Sequence, residues 1–460
     1  MRSSLRLALL ATVLFSTASA ARAEDAAPLT IWQRGNLLGD LGGLRPWAVD
    51  HGVTLTITEQ SEIKGNTTGG TKRGATYDGL TTLSASVDTD KAFGWSGGTL
   101  FISALNIHGR PLSPYYLGSL QTASGIEAAP TTRLWELWVT QSFADGLFDV
   151  KLGQQSLDQD FLSSTNSAIF VNTMMGWPMV PSVDLYAGGP AYPLSSLGAR
   201  IKVNVNDNVT VLAGVFGDNP PGGPFNNDSQ LRGDTRWGNN FSLRTGSLFI
   251  AEAQYQLNQK TPGAEKQPEG LPTALKLGVY ADSGDFYDQR YATNGALLAS
   301  NASLSPRKIT GNSAVYVVFD QGVWKPAPDS GRVLSVFVRA LSAPTSQNVV
   351  DFSVNGGITL TAPLEGRDDD TFGLGFGYAH VSNQARAYDR DVARLGGDTT
   401  PVRSSETFIE ATYQAQVTPW LQVQPDVQYV IHPGGGIANP YTGKRVANEW
   451  VFGARTNITF

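Results

Sequence analysis

The sequence predicts an all-β chain: a transmembrane up-and-down antiparallel β-barrel of about 16 strands, with a short N-terminal helix. Three observations predict it. Apolar and polar side chains alternate with period two through most of the chain after residue 52. The joints between alternating segments are trimmed at one end and extended at the other. The chain also opens like a secreted protein yet holds no cysteine among its 460 residues. Its stability therefore comes from something other than disulfides, and a closed sheet, which has no edge, supplies it.

The elements follow in order. Arg2 and Arg6 precede the apolar run from Leu7 to Phe15, and Ala21-Arg22-Ala23 has the pattern of a cleavage site. Residues 1–23 read as a signal peptide, with an apolar core too short to span a membrane. Their removal takes three arginines and no acid, which moves the net charge from −6 to −9. That acidic balance argues against nucleic acid as a partner. Residues 24–52 read as a periplasmic segment. Its helix lies in "GGLRPWAVDHG" (42–52), with Pro46 near the first turn and Gly52 as the stop.

Residues 53–460 read as the barrel. Val53, Leu55 and Ile57 alternate with Thr54, Thr56 and Thr58; Ile409, Ala411, Tyr413 and Ala415 alternate with Glu410, Thr412, Gln414 and Gln416. Such segments centre near residues 57, 83, 102, 138, 152, 200, 212, 252, 278, 317, 338, 355, 375, 411, 426 and 454. In the last one Trp450, Phe452, Ala454, Thr456, Ile458 and Phe460 share a side, with Arg455 and Asn457 opposite. It is expected to close the cylinder against Val53–Ile57, with Arg455 and Asn457 in the lumen wall.

Tight turns occur at "ADGL", "NDN" and "VTPW"; the joint near 258–273 is the long exception among the even ones. Short turns on one side and long loops on the other fit periplasmic turns and outer loops. Alternation alone does not separate a soluble sandwich from a membrane barrel. Segments of about ten residues favour the membrane. So do aromatics near segment ends (Trp135, Phe143, Trp420, Tyr429, Trp450, Phe460) and an opposite face rich in Thr, Gln, Asn and charges. Outer-membrane lipid is then a partner.

The loop at 158–193 is unlike a solvent loop. It holds Phe161, Ile169, Phe170, Val171, Trp177, Tyr186 and Tyr192, and every methionine after Met1: Met174, Met175 and Met179. Such a segment needs burial, and folding into the barrel provides it. It is expected to narrow the channel.

Four stretches carry a resemblance: "LGDLGGLR" (38–45), "RLWELW" (133–138), "GWPMVPSVDLYAGGPAYP" (176–193) and "QPDVQYVIHPGGGIANPY" (424–441). With them the chain resembles the OprB-type carbohydrate-selective porins over nearly all of its mature length. The resemblance implies a sixteen-stranded outer-membrane barrel of a Gram-negative bacterium, an inward third outer loop, and passive diffusion of monosaccharides such as glucose. It also implies that the terminal Phe460 marks the chain for the β-barrel assembly machinery. Leu41 stands where many members have Trp, and Tyr186 where Pro is commoner.

Sugar hydroxyls require hydrogen-bonding groups, and the flat faces of a sugar ring require aromatic platforms. With Trp135, Leu137 and Val139 taken as lipid-facing, Glu136, Trp138 and Thr140 face inward. Lys151 and Gln155 follow on the next segment, then Arg200, Lys202 and Asn204. Glu136 is expected to meet Arg200 and Lys202 near the constriction, with Trp138 as a stacking surface. From the loop, Trp177, Asp184, Tyr186 and Tyr192 join the candidate set. The bland alternative for each charge is solvated lining, and for each loop aromatic it is packing that pins the loop to the wall.

Other motifs carry little. His51, His108, His380 and His432 lack metal-ligand spacing, and no cofactor is expected. "GRDDDT" (366–371) reads as a solvated turn and "PGGG" (433–436) lacks the lysine of a phosphate loop. No nucleophile elbow or glycosidase pair is evident, so the chain reads as a channel and not an enzyme. A general or sugar-acid-selective porin is the alternative within transport. An enzymatic barrel or a secreted carbohydrate-binding β protein is the alternative outside it. Monomer and homo-oligomer are left open.

Overall fold

The computed structural model describes residues 29–220, 237–239, 241–259, 268–328, 330–396 and 400–460. The expected signal peptide lies outside them. A short helix, α1 (Leu44–Asp50), precedes the sheet and ends at Gly52, whose φ of 78° favours glycine. Sixteen antiparallel strands follow: β1 (Val53–Asn66), β2 (Gly74–Asp88), β3 (Gly98–Gly109), β4 (Thr131–Phe143), β5 (Phe148–Gln155), β6 (Ser196–Asn206), β7 (Val209–Gly217), β8 (Ser247–Leu257), β9 (Thr273–Ala292), β10 (Pro306–Trp324), β11 (Val333–Ser342), β12 (Val350–Thr361), β13 (Thr371–Val381), β14 (Ser405–Thr418), β15 (Leu421–Ile431) and β16 (Glu449–Thr459). Each pairs with its sequence neighbours, and β1 pairs with β16, so the sheet is a closed barrel. No described helix is long and apolar enough to cross a membrane.

Every expected segment centre falls inside one of these strands. The closing register differs from expectation. Strand β16 pairs with Thr58–Asn66; of Val53–Ile57 only Ile57 meets the closing segment, accepting from the Phe460 backbone at 2.9 Å, and the others pair with β2. Tilted strands meet their neighbours with a stagger, so the first and last strands are offset along the seam. Arg45 of α1 bonds the Phe460 carbonyl at 2.6 Å, which ties the N-terminal segment to the seam.

The outward faces are exposed and apolar along much of the wall, as at Leu137, Leu152, Ile201, Leu277, Leu374 and Phe452. Strands β1–β3 interrupt this with a polar group on the outward side. Glu59 accepts from Ser61 and Thr81 and lies 3.4 Å from His108, which in turn meets Tyr77.

The inner face is not polar throughout. Leu212, Phe216, Leu248, Ile250 and Phe337 point inward and are buried. They pack against the loop between β5 and β6, which enters the lumen and carries two short helical turns, α2 (Thr173–Gly176) and α3 (Met179–Asp184). The largest apolar cluster thus lies between that loop and part of the inner wall, with Phe161, Phe170, Met174, Met175 and Met179 at its centre. Apolar wall packs on the loop's side chains, and polar residues set among it bond the loop's backbone.

The sequence "TFGLGFGYAHV" of β13 makes room for this packing. A Cβ on Gly375 would lie 2.7 Å from the Met175 side chain and 2.8 Å from Phe170; one on Gly373 would lie 2.5 Å from Ile169. One outer-loop helix, Asn383–Gly396, escaped the sequence reading, because long outer loops were read without internal structure. The "GRDDDT" turn is also tighter than expected. Asp370 is buried and accepts from Arg367, Tyr413 and the Gln416 backbone.

Candidate functional site

The inward loop is held by carboxylates and one arginine rooted in the strands. Glu410 accepts from the backbone of Val171 and Asn172 at 2.6 and 3.1 Å. Glu252 accepts from Leu162, and Asp320 from Ser164 and Asn166. Arg339, fully buried, donates to the carbonyls of Leu162, Met174, Met175 and Gly176 at 2.7–2.9 Å. Each of these contacts satisfies a loop group that folding has removed from water. The same strategy fixes the preceding outer loop, residues 110–130. Glu406 accepts from Leu120 and Gln121, and also from Gly434.

The two inward loops then join. Gly125 donates to Val171 at 2.8 Å, Thr173 donates to Thr122 at 3.1 Å, and the Thr173 hydroxyl bonds the Ser124 carbonyl. On either side of this junction lies a cavity. One, of about 230 Å³, is bounded by Gln60, Leu80, Asp158, Phe170 and Arg455. The other, of about 190 Å³, is bounded by Leu120, Glu127, Ser182, Val183 and Pro193. Gly125, Thr173, Trp177 and Tyr192 line both, so these four form the neck between them. Trp177 donates to the Gly188 carbonyl at 2.8 Å and Tyr192 to that of Ile126 at 2.9 Å. Both rings are held by one polar end.

The neck's surroundings are charged. Arg455 pairs with Glu62, which also meets Lys64 at 2.8 Å, and Lys64 donates to the Ala123 carbonyl. Asp158 accepts from Ser156 at 2.6 Å and from the Tyr192 backbone at 3.3 Å, which joins the two ends of the long loop. Burial raises the Asp158 carboxyl above the ordinary carboxylate range.

The nine expected residues separate into three groups. Trp177 and Tyr192 stand at the neck. Glu136, Trp138, Lys151, Arg200 and Lys202 lie on the inner faces of β4–β6. There Lys151 meets Asp160 at 2.5 Å; Arg200 meets Asp149 and, at 3.5 Å, Asp160; Lys202 lies 3.6 Å from Asp149. The expected partner, Glu136, is not in that cluster. It accepts from the Ser156 backbone at 3.0 Å and fixes the start of the loop, while Asp149 and Asp160 stand closer to the cations. Trp138 stacks on Phe101 at 4.8 Å, and the Lys151 ammonium lies 4.7 Å from its ring centre. Asp184 and Tyr186 sit at the far end of the loop. Asp184 accepts from the Val349 backbone at 2.8 Å, and burial pushes its carboxyl well up. Tyr186 stacks on Phe286 at 4.9 Å and donates to the Asp285 carbonyl.

Trp135 is a correction. It was expected to face lipid. Ser103 pairs with Glu136 and Ala104 with Leu134, so Trp135 is the extra residue of a bulge. It turns inward, bonds the Leu194 carbonyl at 3.2 Å and meets Tyr192 edge-on. The inward parity of Glu136 and Trp138 is as expected, because both lie beyond the bulge. The sequence reading missed Gly125 and Thr173 at the neck and Asp158 in the larger cavity. A polar residue in a loop carries no periodicity to place it.

A closed sixteen-stranded barrel with short turns at one end, narrowed by two inward loops, defines a membrane diffusion channel. Residues 72–460 match the model of the carbohydrate-selective porin, OprB family. The chain is 28% identical over 451 residues to Porin B of Pseudomonas aeruginosa, covering 91% of this chain and 90% of that one. The high-pH structure of Pseudomonas putida OprB superposes with a TM-score of 0.81 at 26% identity, over 93% of this chain and 99% of that one. Its low-pH structure superposes with a TM-score of 0.55 at 19% identity, again over 93% and 99%, and supports the fold alone. The chain belongs to the OprB family of carbohydrate-selective porins. It is an outer-membrane carbohydrate channel of a Gram-negative cell and not an enzyme.

Proposed function

We propose that this porin passes small neutral sugars one ring at a time, and that selection occurs at the neck. The observation that carries the reading is the pair of cavities, about 230 and 190 Å³, separated by Trp177 and Tyr192. Both are smaller than the roughly 300–1,000 Å³ pockets that bury drug-sized ligands, which suits a single sugar ring better than an oligosaccharide. Trp177 and Tyr192 supply flat surfaces for C–H faces; Gln60, Asp158 and Arg455 supply partners for hydroxyls below them. Lys151, Arg200 and Lys202, paired with Asp149 and Asp160, act as a polar slide on the wall. Glu136, Asp184 and Tyr186 serve to position the loop. Trp138 stiffens the slide.

A second reading has one observation in its favour. Lys151, Arg200 and Lys202 outnumber Asp149 and Asp160 on the wall, which would draw a sugar acid. Liposome swelling with glucose, a disaccharide and gluconate separates the two. Neutral selection predicts fastest swelling in glucose, slow entry of the disaccharide, and no preference for gluconate. Equal rates for all three would mean general diffusion. The apolar exterior is proposed to contact outer-membrane lipid, and assembly by the barrel machinery is proposed from the family.

A further inference from the structure

The inner face of β15 carries a residue that no solute reaches. Gln428 is fully buried and borders neither of the two cavities at the neck. Its side-chain amide nevertheless bonds both inward loops. The amide nitrogen donates to the Ala123 carbonyl, in the loop 110–130, at 2.8 Å. The amide oxygen accepts from the Asn172 side chain, in the loop 158–193, at 3.0 Å. The nitrogen's second hydrogen goes to Asp426 at 2.8 Å. Turning the amide over would set its oxygen against the Ala123 carbonyl and the Asp426 carboxyl, and its nitrogen against that of Asn172. Its orientation is therefore fixed by its partners.

The two partners sit at the junction of the loops. Ala123 lies between Thr122 and Ser124, and Asn172 between Val171 and Thr173, which are residues through which the loops bond each other. The Thr122 and Thr173 hydroxyls also meet, at 2.5 Å. Gln428 thus spans this junction from behind, at its middle. Two of the four neck residues follow at once: Thr173 is next to Asn172, and Gly125 is two residues from Ala123. Both partners are firmly held. Lys64 donates to the same Ala123 carbonyl at 3.0 Å, and the Asn172 oxygen accepts from the Met174 backbone at 3.0 Å, which caps α2. A change at Gln428 is therefore passed to loop backbone and not absorbed by a loose side chain.

The other wall anchors named above each hold one of these two loops. Glu410, Glu252, Asp320 and Arg339 bond the loop 158–193, and Glu406 and Lys64 bond the loop 110–130. Gln428 holds both through one rigid amide. We propose that Gln428 is a positioning residue for solute selection. By fixing Ala123 and Asn172 at one separation it sets the opening at the neck, and with it the cut-off between one sugar ring and two. It acts through the loops and touches no solute. The inference rests on the neck as the place of selection.

The test reads liposome swelling by the full chain in maltose relative to glucose. Gln428→Met keeps the reach of the side chain and removes both arms. It should raise the maltose-to-glucose ratio about threefold or more, the scale of one hydrogen bond's net contribution. Asn172→Ser keeps a capping oxygen for α2 and removes only the arm to Gln428, so it should raise the ratio by less. Heat-modifiable gel mobility verifies folding, and Asn172→Ser decides should the Met variant fail to fold. A lower gel transition temperature with an unchanged ratio marks a structural role alone and overturns the proposal. Rescue is the stricter readout. Thr122→Cys with Thr173→Cys places a disulfide where the hydroxyls meet, in a chain with no other cysteine. Added to Gln428→Met, the oxidised pair should restore the low ratio and its reduction should lose it. An equal ratio in the two states, with the disulfide verified by thiol labelling, overturns the proposal. Trp177→Ala is measured alongside. If it weakens glucose block while Gln428→Met leaves the ratio unchanged, the neck stands and the role of Gln428 falls. If neither variant has an effect, the neck reading itself falls and takes this inference with it.

Discussion

Trp177 and Tyr192 are each fastened by one polar atom and expose their rings to two cavities. That combination gives an aromatic surface of fixed orientation, which is what repeated brief contacts with a sugar require. Trp177→Ala should weaken sugar block of single-channel current by about tenfold, a loss of roughly 1.4 kcal/mol of contact. Tyr192→Phe should act through position, because it removes the bond to Ile126 and keeps the ring. Glu127 offers a test with pH. Burial pushes its carboxyl up to about 7 from an ordinary 4.5, against the pull of Lys64 and Ser113. The folded chain therefore holds a proton that the unfolded chain has released between these values, and stability falls as pH rises through that window. Glu127→Gln should flatten the fall, read as the temperature of the heat-modifiable gel transition at pH 5 and at pH 8. An unchanged slope would mean that the carboxylate is not the group responsible.

At the scale of elements, the inward loop is a second core inside the barrel. Its apolar residues were legible, since Phe161, Phe170 and the methionines had nowhere else to be buried. Its seat was legible only in retrospect: inward glycines at 373 and 375 leave a hollow whose occupant no periodicity names. Gly375→Val should cost about 1–3 kcal/mol by overpacking against Met175 and Phe170. Arg339→Met should cost about 3 kcal/mol or more, because several loop carbonyls lose a charged donor. Both should also raise single-channel conductance, as the loop leaves the wall. A lower melting temperature at unchanged conductance would separate stability from constriction and contradict the role given to the loop. The partners of Glu136, Arg200 and Lys202 were not legible, because alternation gives the face of a strand and not the height at which a loop carboxylate such as Asp160 arrives. Trp135 misled for a related reason, since a single extra residue in a strand reverses parity.

For the whole molecule, two-residue alternation and the asymmetry of the joints were enough to place sixteen strands, since every strand must bury one face and bond both edges. Stagger at the seam was not, because it depends on the tilt of the complete cylinder. The barrel itself is wide, and function comes from what fills it: part of the wall carries the loop, and the rest, near β1, β2 and β16, borders the passage. The central claim is that this passage recognises sugars at an aromatic neck and does not merely admit them by size. Single-channel recording in planar bilayers during titration with glucose tests it most directly. The account predicts a small conductance that falls saturably as glucose is added, with the block weakened by Trp177→Ala. A conductance indifferent to glucose, or a block identical in the variant, would contradict it.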